Sequence, residues 1–211
     1  MASSFNMMLS HSGHCAEAGE ARYCEPYVLV TSIDLRSPHP DVEAFLYGPW
    51  ERATSRDTAD VAPLVWRESF WRLDIIAAPI ANPDDVIFLV ALMEHVNGNP
   101  SAARILVKKA VIEALGASAG MAREPRIAKL ISDTNRAVDL ANGGPNISSA
   151  IELLLTVEDV ARLDTNGTHR FVRSFAGYGG DYCLNFELIR AESDAQDLVR
   201  QDEDAFFRAA E

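Results

Sequence analysis

"NPDDVIFLVALMEHVNG" (Asn82–Gly98) is the stretch on which the fold turns. It opens like a helix: Asn82 stands as N-cap, Pro83 at the first helical position, and Asp84 and Asp85 face the helix dipole. It closes on Asn97–Gly98, a helix stop. Between these signals Val86 to Met93 is apolar all round, which predicts a central, buried helix. Glu94 and His95 then fall in its last turn, where a histidine meets terminal carbonyls rather than a metal, and the H-E-x-x-H pattern is absent. "NPSAARILVKKAVIEALG" (residues 99–116) repeats the device with Asn99 as cap, Pro100 first and Gly116 at the end. Two or three residues separate the pair, so a tight antiparallel helical hairpin is expected at the core.

Further helices are expected on either side. "EPRIAKLISDTNRAVDLANGG" places Ile127, Leu130, Ile131, Val138 and Ala141 on one stripe. "PNISSAIELLLTVEDVARLD" reads as a helix broken in two, because T-V-E-D at Thr156–Asp159 is a fresh capping box. "DVEAFLYGPWERATSR" begins helically at Asp41 and is interrupted at Gly48–Pro49. Residues 62–80 read equally as helix or strand. "SDAQDLVRQDEDAFFRAAE" predicts an acidic C-terminal helix over 194–210, with Leu198, Val199, Phe206 and Phe207 as its apolar contacts.

The β-signals are fewer. "PYVLVTSIDL" (Pro26–Leu35) is β-branched and ends at "RSPHPD", where two prolines stop a ladder. In "THRFVRSFAGYGGDYCLNFELIR" a two-residue loop at Tyr178–Gly179 makes opposing positions sum to 357. Phe175 then faces Tyr182, Arg173 faces Leu184 and Phe171 faces Phe186. The other face pairs Arg170 with Glu187, Val172 with Asn185 and Ser174 with Cys183. The expected fold is therefore α+β but predominantly helical, with a helical-hairpin core and a small antiparallel sheet made of this hairpin and the 27–35 strand. "ILVKKAVIEALGASAG" (residues 105–120) resembles a helix of a HEAT-type repeat, and the helix pairs 82–116 and 125–164 match the repeat's length scale. That resemblance covers one helix and implies a short repeat-like array.

At 211 residues, 48% hydrophobic and 24% charged, the chain has the balance of one globular domain. Residues 1–24 lack periodicity and read as a flexible leader to a single domain over 25–211. The net charge of -12 is spread along the chain, with no cationic stretch to displace phosphate counterions, which points away from nucleic acid. The same field favours a basic protein partner. Sixteen of nineteen cations are arginine, which, with the many alanines, reads as the coding bias of a GC-rich bacterium. No secretory signal or membrane span is legible. An odd count of three cysteines fits a reducing cytoplasm. A Ser-rich uncleaved N-terminus also suits an exported effector.

Three sets of residues carry chemical interest. "HSGHCAEAGEARYC" offers His11, His14, Cys15 and Cys24, but adjacent His14 and Cys15 depart from zinc-ligand spacings, so a tail is preferred to a zinc site. Asp34, His39 and Asp41 follow a strand end and provide a base and carboxylates for a hydrolase, with or without a metal. Against this, prolines stiffen the loop and Asp41 caps the next helix. Trp66 and Trp71, with interleaved arginines, and Asp202, Glu203 and Asp204 are candidate partner contacts, while aromatics at helical spacing also make a core face. A Cys183–His169 dyad fails, because the hairpin register separates the two by roughly 16 Å along the strands. "GYGGD" leads into a strand beside Asp181, so it is a turn and no phosphate cradle. With no assembled catalytic set and no cofactor loop, the expected function is an acidic, non-enzymatic interaction module of adaptor, inhibitor or immunity type.

Overall fold

A computed structural model describes residues 5–14, 26–37, 39–48, 68–69, 71, 80, 82–94, 99–142, 149–177 and 180–190. It corrects the helical core. After Asn82, whose side chain accepts from the Asp84 N–H at 3.1 Å, the chain makes one 3-10 turn, Pro83–Asp85, and then extends as strand β5, Val86–Glu94. The capping chemistry is real but is spent on three residues.

The reason lies on the two faces of β5. Val86, Phe88, Val90 and Leu92 point into one core, and Ile87, Leu89, Ala91 and Met93 into another. A strand covered on both sides is apolar at every position, as is a helix buried all round. Eight apolar residues span about 26 Å as a strand, enough to cross a sheet, but only about 12 Å as a helix. The β-branched Val86, Ile87 and Val90 favour the extended form.

Strand β5 pairs along its whole length with β2, Pro26–Asp34, with Val30 opposite Val90. On the far edge of β2 lies β3, Asp41–Tyr47, joined to it by the Leu35–Pro40 loop with Asp34 opposite Asp41. The helix expected from Asp41 is thus a strand, in which Val42, Ala44 and Phe45 are buried and Asp41 and Glu43 exposed. The short β6, Ile151–Glu152, pairs on the other side of β5, so the first part of "AIELLLTVEDVARLD" is a strand too. The order in this antiparallel sheet is β3-β2-β5-β6.

The second sheet has the order β4-β1-β8-β7, also antiparallel. Here β7, Thr168–Gly177, and β8, Gly180–Arg190, form the expected hairpin: Phe171 opposes Phe186, Arg170 opposes Glu187 and Phe175 opposes Tyr182. Strand β1, Phe5–His14, lies along the other edge of β8, with a register shift between Leu9 and His11, and pairs in turn with β4, Glu68–Ser69. Residues 5–14 of the expected leader are therefore a sheet strand, held by ladder hydrogen bonds that no side-chain pattern announced. Residues 15–24 and the helix expected over 194–210 lie outside the described residues, as does most of 62–80.

The hairpin and strand β2 belong to different sheets, not to one small sheet. The two sheets face each other across a core that includes Val30, Phe88, Trp71, Leu184, Phe186 and Leu188. On the other side of the β2–β5 sheet lie helices α1, Pro100–Ala117, and α2, Arg123–Asn142. Asn99 caps α1 as expected, accepting from the Ser101 and Ala102 N–H groups. Helix α1 runs on to Ala117, and its partner in the helical hairpin is α2 across residues 118–122, not residues 82–98. The layers are helix pair, sheet, sheet. This is a mixed α+β fold with two antiparallel sheets; the predominantly helical reading and the repeat-like array are overturned, because α1 and α2 bury their stripes on a sheet rather than on further helices. Helix α3, Val157–Asn166, sits beside the β7–β8 hairpin and sends Leu163 into the inter-sheet core.

Arg123 ties the layers at one end. Its guanidinium donates to the Asp84 carbonyl at 3.0 Å, the Val86 carbonyl at 3.1 Å and the Glu152 carboxylate at 3.1 Å. It thereby fixes the start of α2 to the first residue of β5 and to β6.

Candidate functional site

Three clusters of side chains bear on function. The first is the loop after β2. Asp34 is 6% exposed and is gripped by Arg36: Nε reaches Oδ1 at 2.9 Å, Nη2 reaches Oδ2 at 2.7 Å, and the Arg36 backbone N–H also donates to Oδ1. The Arg36 guanidinium lies 5.6 Å from the centre of the Trp71 ring. Its own pKa is raised, first by the hydrogen bond to Asp34, against the opposing effect of burial. His39 and Asp41 are exposed, with the His39 N–H turned to Ser37 Oγ. The ladder brings Asp34 opposite Asp41, but Asp34 is committed to Arg36 and His39 does not join them. Among the described residues the loop is a braced hairpin end that brings no base and acid together. Trp71 is 2% exposed and edge-on to Phe88, with ring centres 5.6 Å apart, in the core between the sheets. Trp66, Asp202, Glu203 and Asp204 lie outside the described residues.

His11 and His14 both lie on β1, opposite Asn185 and Tyr182. Three residues of extended strand hold their backbones about 10 Å apart. Cys15 and Cys24 lie outside the described residues. Among the described residues no three His, Cys, Asp or Glu come together as a metal cluster. Cys183 opposes Ser174 and His169 opposes Leu188, as the register required.

The second cluster was not foreseen. His169 Nε2 lies 3.1 Å from Asp159 Oδ1, and the other Asp159 oxygen takes the Thr156 hydroxyl at 2.7 Å and the Thr156 N–H at 2.9 Å. Asp159 is thus the third residue of the α3 capping box, turned toward the first residues of β7. It looks like the orienting half of a catalytic triad, but the Thr156 hydroxyl sits on the aspartate and not on the histidine. Its role is to lock α3 to the sheet. Burial raises the Asp159 pKa, and the hydrogen bonds from Thr156 and His169 more than offset this, leaving it lowered. The stabilisation is accordingly complete above about pH 4, the ordinary carboxyl value, and is lost as pH falls through the lower folded value. Denaturant midpoints measured against pH should fall more steeply on the acid side for the wild type than for Asp159→Asn; parallel curves would show that the box carries no pH-linked stability.

The third cluster is the outer surface of the helix pair. A groove of about 420 Å³ runs between α1 and α2. Its small residues are Ala110, Ala114, Ala117 and Ala137, and Leu106 and Leu140 stand at one end. Lys109, Lys129 and Arg136 line it together with Glu113 and Asp133. Lys129 and Arg136 share Asp133, at 2.8 and 3.6 Å, and Lys109 sits 3.9 Å from Glu113. Leu140 is 76% exposed and Ile105 63%, and Leu106, Ile112 and Met121 are exposed as well. Five of the eight exposed large hydrophobics among the described residues belong to this hairpin and its connection, and two of them, Leu106 and Leu140, line the groove.

The even spread of charge expected along the chain does not hold over the helix pair, although only Lys109, Lys129 and Arg136 of its cations line the groove, beside Glu113 and Asp133. Residues 100–142 hold seven cations, all three lysines among them, against four anions, a net of +3 in a chain of net -12. Sequence reasoning missed this face because it packed α1 against residues 82–98 and did not weigh which of its sides stays exposed. The signal was present: Ile105, Leu106, Val107, Val111, Ile112 and Leu115 are too many apolar residues for a single face.

Fold and groove together define a three-layer α+β arrangement with an open helical groove lined by alanines, two leucines and paired charges of both signs. Comparison with protein-family models, with curated proteins and with solved structures gives no match for this chain. No helix among the described residues is long and apolar enough to cross a membrane.

Proposed function

We propose that the protein is a non-enzymatic interaction module, of adaptor, inhibitor or immunity type, that docks a partner segment on the α1–α2 face. The observation that carries this reading is the groove with its exposed Leu106 and Leu140. Grooves between helices take an apolar segment through a few anchors, with a polar rim setting the register. The overall charge of -12 favours a basic protein, and the acidic surface outside the hairpin steers such a partner toward the molecule. The segment seated in the groove itself has the opposite character, apolar and acidic, to match Lys109, Lys129 and Arg136. The odd cysteine count supports a reducing compartment, the cytoplasm.

Native mass spectrometry of protein purified gently from its own cells tests the reading. A stoichiometric protein companion is expected with the wild type and with Val172→Glu, which changes an exposed residue of β7. It should be lost from Leu106→Glu/Leu140→Glu. A companion held equally by both variants would remove the groove from the reading, and a companionless monomer that turns over a substrate would overturn it.

A further inference from the structure

From the outer face of the helix pair we infer that the chain pairs there with a second copy of itself, α1 against α1, antiparallel about a two-fold axis at the level of Val111. This rests on the α1–α2 face being the docking face, and names its occupant. Gly116 is the residue that a single copy leaves unexplained. It lies in the last turn of α1, before the C-cap Ser118, and its backbone is not left-handed. A Cβ added there would meet nothing within 4 Å. Neither the backbone nor the packing of its own chain therefore requires glycine, which weakens a helix relative to alanine. On the same helix three large apolar side chains, Ile105, Leu106 and Ile112, are exposed.

A two-fold axis at Val111 matches these features to one another. Leu106 of one copy stands over Gly116 of the other, Ile105 over Ala117 and Ile112 over Ala110. Each large exposed side chain of α1 thus meets a small residue, as ridges meet grooves between packed helices. In the same register Lys109 faces Glu113 of the second copy, twice over. Within one copy these two are 3.9 Å apart and 72% and 68% exposed. Such a surface pair is weak, and exchanging it across the axis leaves no charge uncompensated. Lys129 and Arg136 keep Asp133 meanwhile. A wholly acidic or wholly basic occupant would lack this balance. The area suffices as well. Helix α1 has 18 residues, so it is about 27 Å long, and a packed pair of helices is about 20 Å wide. Two such faces cover about 1,000 Å² in projection, the lower bound for a specific interface.

The test is sedimentation equilibrium of the full chain, made in a foreign host and purified to one protein, from about 1 μM to about 1 mM. A reversible monomer–dimer equilibrium with Kd on the order of 10 μM is expected, at the weak end for an interface of this size. Gly116→Leu enters space that is open in the single copy, so the variant should fold, and should weaken the dimer at least about tenfold. Lys109→Glu sets like charges across the axis and should weaken it about tenfold, while Glu113→Lys added to the same chain should restore it. A chain monomeric throughout would overturn the inference. So would a dimer indifferent to Gly116→Leu, or one that the double charge reversal fails to restore. The docking function is judged separately. If the pure chain is monomeric but its cellular companion is still lost with Leu106→Glu/Leu140→Glu, only the second copy is removed. A dimer that responds as expected, with no companion of another kind in native mass spectrometry, would leave the pairing standing and remove the adaptor reading.

Discussion

Replacing Phe88 by alanine is expected to destabilise the protein by about 3–5 kcal/mol, read as a lowered urea midpoint with an unchanged slope. Phe88 is 1% exposed at the middle of β5, edge-on to Trp71, in the core that the two sheets share. Truncation removes its transfer free energy and leaves a hole that neighbouring strands, fixed by their ladders, close only in part. Its neighbour Leu89 projects to the other side, among residues of α1 and α2. Leu89→Ala should cost about 2–5 kcal/mol on its own, and the two losses should add within about 0.5 kcal/mol, because the side chains belong to separate buried clusters on opposite faces of the sheet. Strong coupling between these adjacent positions would contradict a strand with two separate cores. A loss below about 1 kcal/mol for Phe88→Ala would remove it from the inter-sheet core altogether.

The second large effect concerns a charge. Arg36→Ala is expected to cost about 3 kcal/mol, near the low end for a broken buried pair because Arg36 keeps some contact with water. Asp34 is left carrying a charge in a site where it has lost both guanidinium bonds. Without the guanidinium, burial favours the neutral form of the carboxyl, so the deficit should shrink as pH falls and Asp34 takes up a proton. Arg36→Lys should recover only part of the loss, since an ammonium cannot bond both oxygens in the plane of the carboxylate. Asp34→Asn placed in the Arg36→Ala chain should recover more. A deficit that stays constant with pH, and that Asp34→Asn does not relieve, would show that Arg36 acts by packing on Trp71 rather than by neutralising Asp34. Arg36 and Phe88 both touch Trp71, so their losses should not be strictly additive.

The same packing explains how the groove can stay open. The β2–β5 sheet is buried on both faces, and its central strands give the helix pair a rigid floor. A helix pair seated on such a floor can leave Leu106, Leu140 and Ile105 in water without unfolding, because Val107, Val111, Leu130 and Val138 hold it from below. Exposed apolar surface is then tolerated by the fold and available to a ligand.

Much of the local structure was written in the sequence. The β7–β8 register followed from one turn and the alternation on either side of it, with Arg170 and Glu187 now 3.0 Å apart. The caps at Asn99 and Thr156 and the apolar stripe of α2 followed from spacing alone. These are contacts between residues close in the chain, so local pattern is sufficient to specify them. The braced Asp34, the His169–Asp159 contact and the open groove were not legible, because each depends on which elements meet in space.

What the sequence determined by itself was therefore the set of locally encoded pieces: two helices, one capping box, one hairpin and one β-branched strand. What only the tertiary structure decided was whether Val86–Met93 is a helix or a strand, that Asp41–Tyr47 and Phe5–His14 join sheets, and which helix face stays in water. A run apolar on all sides records only that it is buried. Whether it is buried as a helix of about 12 Å or a strand of about 26 Å depends on the partners that flank it. Here β2 lies along one edge of the run, and it is the tertiary ladder rather than the local cap that determines its form.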